Sequence, residues 1–272
     1  MKYTYYIFSD CHGEYEPLQK ALKEAGFNGQ AHQKLVCLGD FTDRGKDSAK
    51  IWQFLLQYEN KGQLIRVKGN HDAFFADFIK NGKSSSTLFN MLYNGLDNTI
   101  YSFMELYFGK ENAEKYAKTG KPENMVNFLR QELLARGVDR WLERAPLYYE
   151  TKHMIFSHAG IDPGERNWKD TSEYHFLWDI RDTWSPCDNT DKLVIIGHHH
   201  ARELQKKAKE LGYTVGNVLI AGPKKFSGIK NAIQADGDDG IYILGNKIGM
   251  DALTNLTHKV NVLVVEDEEL GG

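Results

Sequence analysis

Five times along this chain a short apolar run ends in a cluster of carboxylate, imidazole, amide and glycine residues, and this recurrence constrains the fold more than any bulk property. The run at 3–9 leads into Asp10-Cys11-His12-Gly13, that at 34–38 into Gly39-Asp40-Phe41-Thr42-Asp43-Arg44-Gly45, and that at 64–67 into Gly69-Asn70-His71-Asp72. Farther along, 154–157 leads to His158-Ala159-Gly160 and 193–196 to Gly197-His198-His199-His200. Short apolar runs bounded by turn residues read as buried strands. Sites in open α/β sheets form outside the carboxyl ends of strands, so the five clusters are expected to meet in one crevice.

The segments between the runs support an α/β layered domain spanning residues 1–272. Residues 14–25 place Leu18, Ala21, Leu22 and Ala25 on one helical face and stop at Gly26, and Asp47 is expected to N-cap a helix carrying Ile51, Trp52, Leu55 and Leu56. From about 72 to 145 the pattern is helical without a convincing strand, which reads as a helical insert; Lys83-Ser84-Ser85-Ser86 reads as a polar loop within it. Strands return at 147–150, 154–157 and 193–196, and again from 217 onward at 241–244, 247–250 and 260–265. The acidic tail 266–272 is expected to fray.

Composition narrows the function. With 34 Lys+Arg against 37 Asp+Glu the net charge is -3, so no global basic field exists to gather nucleic acid or anionic lipid, and attraction to phosphate must be local. Three scattered cysteines suit neither a disulfide framework nor a thiolate zinc site. No segment approaches the ~20 apolar residues of a membrane span. A cytosolic location is expected, with neither membrane nor nucleic acid as partner.

Each cluster alone has an ordinary explanation. Asp before Gly is commonly a turn, Asn70 alone would be a left-handed turn residue, and a lone His at a strand end is more often a satisfied hydrogen-bonding group than a ligand. Together they offer carboxylate, imidazole and amide oxygen, a mixed N/O donor set suited to Mn, Fe or Zn. A carboxylate bridging two cations roughly 3.5 to 4 Å apart makes a clamp for in-line phosphoryl displacement.

The ordered set Asp10-x-His12-Gly13, Gly39-Asp40-x-x-Asp43-Arg44-Gly45, Gly69-Asn70-His71-Asp72, His158-Ala159-Gly160 and Gly197-His198 resembles the calcineurin-like metallophosphoesterases, a β-sandwich flanked by helices. Asp43-Arg44-Gly45 resembles the phosphoprotein phosphatase branch, which holds bacterial serine/threonine phosphatases and symmetrical diadenosine tetraphosphatases. Similarity extends to Asn94-Gly95-x-x-x-Thr99, Ala145 to Glu150, Leu177-Trp178-x-x-Arg181 and the stretch from Asp251 to Glu266. The resemblance implies two divalent ions, with manganese expected: Asp10, His12 and Asp40 on the first, Asp40, Asn70, His158 and His198 on the second. It also implies His71 as general acid, Asp43 as its orienting carboxylate, and Arg44 and Arg181 gripping phosphate oxygens. A metal-bridging hydroxide would attack in line, without a phosphoenzyme.

These roles point first to phosphoserine and phosphothreonine in proteins as substrate, with dinucleoside tetraphosphate as the alternative. The intact Asp43-Arg44-Gly45 favours the first; Asp72, where protein phosphatases more often carry Glu, favours the second. A catalytically dead regulator is disfavoured because no ligand, arginine or acid is missing, and a nuclease because the chain has no basic excess. Specificity is assigned to the helical insert and to 201–240. His199, His200 and Lys46 are expected at the rim, and Cys11 as a small buried thiol.

Overall fold

Both faces of the first strand are apolar, which requires a layer on each side of its sheet. The structure, a computed structural model, describes residues 1–82, 84–120, 122–178, 186–187, 189–213 and 228–269. Strand β1 (Lys2–Phe8) buries Tyr5 and Ile7 on one face and Tyr6 and Phe8 on the other. It pairs in parallel with β2 (Gln33–Cys37), which pairs in parallel with β3 (Leu64–Arg66). On its other edge it pairs antiparallel with β10 (Val262–Glu268), which pairs with β7 (Ile229–Ile233), giving the order β3-β2-β1-β10-β7. The second sheet, β4-β5-β6-β9-β8, is built from β4 (Tyr148–Glu150), β5 (Met154–Ser157), β6 (Leu193–His200), β8 (Tyr242–Leu244) and β9 (Lys247–Asp251).

The sheets stack face to face. Tyr5, Ile7, Val36 and Leu38 meet Met154, Phe156, Leu193 and Ile195 in the central core. The alternate residues Tyr6, Phe8, Leu35 and Cys37 face outward beneath α1 (Tyr15–Glu24) and α2 (Ser48–Asn60), while Ile155, Val194 and Ile196 face the other way against Trp168 and Phe176. This is the helix-flanked β-sandwich expected from the sequence. Between β3 and β4 lie α3 (Asn70–Asn81), α4 (Ser85–Tyr93), α5 (Leu96–Phe108), α6 (Lys110–Lys118), α7 (Glu123–Ala135) and α8 (Val138–Glu143). The short helices α9 (Glu173–Trp178) and α11 (Thr254–Thr257) and the longer α10 (Ala201–Glu210) complete the described elements. None of the described helices is long and apolar enough to cross a membrane.

Asp47 stands at the N-cap of α2 as expected, but its side chain caps no amide: its backbone (φ -114°, ψ 26°) is not extended, and its carboxylate pairs with Lys50 at 2.7 Å instead. Two local readings need correction. The serines after Lys83 do not form a loop, because Ser84 accepts from the Thr87 amide and starts α4. The acidic tail does not fray through 268: β10 runs to Glu268, where cations compensate its charges, Lys2 and Lys230 on Glu266 and Lys152 on Glu268.

Asp267 in this strand is buried, and its carboxylate accepts from Thr151 Oγ1 at 2.6 Å and His153 N at 3.0 Å and faces His153 Nδ1 at 2.6 Å. Burial opposes ionisation, but these partners hold the carboxyl below its ordinary value. A depressed folded-state pKa contributes stability that is complete above the unfolded value of about 3.9 and is lost as pH falls through the folded one. Asp267→Asn is therefore expected to destabilise by about 1–3 kcal/mol at pH 7. Urea unfolding midpoints at pH 7 and below pH 3 check this: the gap between variant and parent should close on the acid side.

Candidate metal centre

Backbone strain marks the site. Among the described residues eight non-glycines have positive φ, and six of them are Asp10, His12, Asp40, Asp43, Arg44 and His198. Such conformations persist only where surroundings enforce them. Glycines provide the enforcement by letting loops approach. A Cβ on Gly13 would lie 2.6 Å from the Gly45 carbonyl carbon, one on Gly39 2.6 Å from Gly69 Cα, and one on Gly197 would overlap Ser9 and Asp10. The last contact locks β6 of one sheet to the end of β1 in the other, so clusters from both sheets share a site.

The imidazoles are oriented from behind. His12 Nδ1 lies 2.8 Å from the Thr42 carbonyl and His158 Nδ1 2.7 Å from that of Leu38. A carbonyl only accepts, so each Nδ1 carries a proton and each Nε2 is the ring atom turned into the centre, free to ligate once it is unprotonated. Both Nε2 atoms point to Asp40, whose Oδ2 is 4.0 Å from His12, 4.0 Å from His71 and 3.4 Å from His158. Donor atoms converge in two groups sharing Asp40: His12, Asp40 and His71, and Asp40, His158 and His198. Asn70 joins the second, its Oδ1 lying 2.8 Å from His158 Nε2.

These donors fit divalent cations. Asp40 is buried yet held well below the ordinary carboxylate range; burial opposes this, but His158 and His71 outweigh it. His158 is correspondingly raised to about 10 against the effect of its burial, chiefly by Asp40. His158 thus brings to Asp40 positive charge of the kind a metal would supply. His12 and His198 remain neutral, as ligands must be: burial, then His71 and Arg44, lowers His12, and burial, then His158, pushes His198 to about 2. Asp10 stands apart from both donor groups. Its Oδ2 accepts from Ser9 Oγ and, at 2.9 Å, from His198 N, and burial, with His158 opposing, pushes it up to about 6.

His71 has a dedicated partner. Its Nδ1 is 2.8 Å from Asp43 Oδ2, leaving Nε2 toward Asp40. Asp43 is fully buried, and accepts from Asn90 Nδ2 and Thr99 Oγ1, each at 3.0 Å. Sequence similarity had marked Thr99 but not Asn90. Arg44 is half-buried and donates from Nη1 to Asn255 Oδ1 at 3.3 Å, while its backbone N donates to Asn94 O. A Cβ on Gly95 would lie 2.7 Å from Arg44 N, so this glycine, at φ 80°, is required where α5 abuts the arginine loop.

Asp72 braces this centre, accepting from the amides of Asp40 and Phe41 at 2.9 and 3.2 Å and from Thr42 Oγ1 at 3.1 Å. Arg181 lies outside the described residues. His199 is buried rather than at the rim, with its ring 4.6 Å from that of His198; β6 alternation turns it inward. His200 is half-buried between Glu203 and Asp251, and Lys46 is exposed. Cys11 is fully buried, and burial, then Cys37, raises its thiol well above the ordinary value, which leaves it inert.

Comparison with known proteins agrees with this geometry. The asymmetrical bis(5'-nucleosyl)-tetraphosphatase of Bacillus subtilis (strain 168) is 26% identical over 238 residues, 79% of this chain and 87% of that protein. The symmetrical bis(5'-nucleosyl)-tetraphosphatase of Erwinia tasmaniensis is 26% identical over 160 residues, 58% of this chain and 44% of that protein. A solved structure of a candidate diadenosine tetraphosphatase shares the fold, with a TM-score of 0.50 and 15% identity over 99% of this chain and 95% of that one. The model of the calcineurin-like phosphoesterase family matches residues 3–202, a span containing all five clusters, and the chain belongs to that family.

Proposed function

We propose that this metal-dependent phosphoesterase hydrolyses dinucleoside tetraphosphates. The observation that carries the reading is an aromatic wall at the centre. The half-buried Phe74 lies 6.1 Å from the His71 ring and 5.4 Å from Trp178, and Trp178 lies 5.9 Å from His198. Such a wall suits a nucleobase better than a phosphorylated side chain on a peptide. Phe89 and Tyr93, 57% and 72% exposed with ring centroids 4.7 Å apart, add a second aromatic pair on α4, the helix whose C-cap Asn94 accepts from the Arg44 amide. The names of both curated relatives support the same substrate, and so does Asp72. The order reached from sequence, phosphoprotein first and dinucleotide second, is thereby reversed. Serine/threonine phosphatase activity stands as a second reading because the Asp43–His71 pair and Arg44 are intact.

In either reaction two divalent cations, manganese first among them, would add Lewis-acid charge against the phosphate and acidify water at the site. His12 and Asp40 would hold one, joined by Asp10 on the strength of the family resemblance alone, and Asp40, Asn70, His158 and His198 the other. Arg44 binds a nonbridging oxygen, Asp43 fixes the His71 ring through Nδ1, and His71 Nε2 delivers a proton to the leaving oxygen. Comparing kcat/KM on diadenosine tetraphosphate with that on a phosphoserine peptide, with Mn²⁺ present, tests the proposal. The dinucleotide is expected to be better by at least about tenfold. A peptide preference of that size would hand the assignment to the phosphatase reading. ADP as sole product marks cleavage at the central anhydride, and AMP with ATP cleavage at an outer one.

A further inference from the structure

A groove of about 860 Å³ lies between α2, α5 and the corner where α7 meets α8, and none of its lining residues belongs to the five clusters. Its wall is aromatic, formed by Trp52, Tyr107 and Trp141, and its rim carries Arg136, Arg140 and Arg144. Among the described residues no Asp or Glu lines it, although Glu132 pairs with Arg136 and Glu59 holds Trp141 from outside the lining. In a chain with a net charge of -3, the remaining two arginines, Arg140 and Arg144, at one groove are a local concentration of positive charge.

The arginines are not all engaged. Arg136 is bound to Glu132 and lies over the Tyr107 ring at 4.4 Å. Arg140 and Arg144 are exposed, and among the described residues neither guanidinium has a hydrogen-bond or ion-pair partner. Trp52 is nine-tenths buried, and its indole nitrogen, like the Tyr107 hydroxyl, is buried with no hydrogen-bond partner. Trp141 is fixed: its indole N–H donates to Glu59, and the Arg66 guanidinium lies 3.9 Å over its ring. Gln53, Gln57 and Asn60 of α2 add exposed amides along one edge.

The groove therefore offers a rigid aromatic wall, amides able to meet both donors and acceptors, and free guanidinium forks whose geometry matches phosphate. Its volume falls within the ~300–1,000 Å³ common for small-molecule sites. We propose that it is a second, non-catalytic binding site for a nucleoside polyphosphate, with the base against the Trp52–Trp141 wall and the phosphates on Arg140 and Arg144. This chemistry does not depend on what the metal centre hydrolyses.

Calorimetric titration of the Mn²⁺-loaded protein with β,γ-imido-ATP tests the assignment, with adenosine and tripolyphosphate as separate probes. The analogue is expected to bind at least about tenfold more tightly than either probe, since the site engages both halves of the ligand. Arg140→Ala/Arg144→Ala should weaken it at least about tenfold, while hydrolysis of p-nitrophenyl phosphate without nucleotide stays within about twofold, showing an intact fold and centre. Arg44→Ala should leave the isotherm in place. Parent-like binding by the double variant, or loss of binding in Arg44→Ala, overturns the proposal. Equal affinity for tripolyphosphate overturns the nucleoside half of it.

Discussion

Asp40→Asn is expected to lower kcat/KM by on the order of 10³-fold or more and to strip bound metal from the protein. No other side chain belongs to both donor groups, and its Oδ2 is the atom toward which His12, His71 and His158 converge. Asparagine preserves the shape but removes the charge that three imidazoles surround. The Oδ1 position, which accepts from His71 N at 3.0 Å, can be retained by the amide oxygen, so the loop should keep its fold. Metal content by mass spectrometry, read beside the kinetics and a circular dichroism spectrum, separates loss of ligation from unfolding. A folded variant with full metal and full activity would contradict the shared-carboxylate reading.

Replacing His71 should discriminate among leaving groups. If Nε2 delivers a proton to the departing oxygen, His71→Asn is expected to cost about 10²- to 10⁴-fold on phosphoserine, whose alkoxide leaves poorly. The loss on p-nitrophenyl phosphate should be below about tenfold, because that leaving group needs little protonation. A nucleotide leaving from a phosphoanhydride should behave like the aryl case. Equal losses on all three substrates, together with reduced metal content, would identify His71 as a ligand instead, a role its place in the first donor group makes chemically available.

Legibility in the sequence followed the range of the interaction. The strand ends were readable because each combines an apolar run with glycine and ligand-type residues, as at Gly39-Asp40, where both residues have positive φ, and at Gly69-Asn70, where an extended glycine leads into a helix. The division into two sheets was legible only through the family resemblance: nothing local to His158 or His198 says that their strands lie across a sandwich from Asp10 and Asp40. Asn90 gave no signal because one buried amide on an otherwise ordinary helix has no pattern. Asn255, 211 residues from the arginine it meets, and Asp251, beside His200, lay in a stretch marked by similarity but without a role. The acidic end of the chain misled for the opposite reason, since its compensating lysines sit at positions 2, 152 and 230 and are invisible in any local window. Asp72 shows the limit of motif reading: its side chain braces the Asp40 loop from behind, so its bearing on the substrate is indirect.

The placement of β10 between β1 and β7 bears on how the protein is born. The first three clusters are translated within the first 72 residues, yet β1 meets its antiparallel neighbour only when residues 263–268 exist, in the register Tyr5↔Val265 and Ile7↔Leu263. Until then a nascent chain carries a β1 edge with unpaired backbone groups beside an apolar face, the kind of edge that recruits foreign strands. Closing a sheet across some 250 residues also demands a long search. Phosphoesterase activity should therefore arise only once residues 262–268 have been made and have paired with β1, and the interval before that pairing is when this chain is most exposed to wrong strand partners.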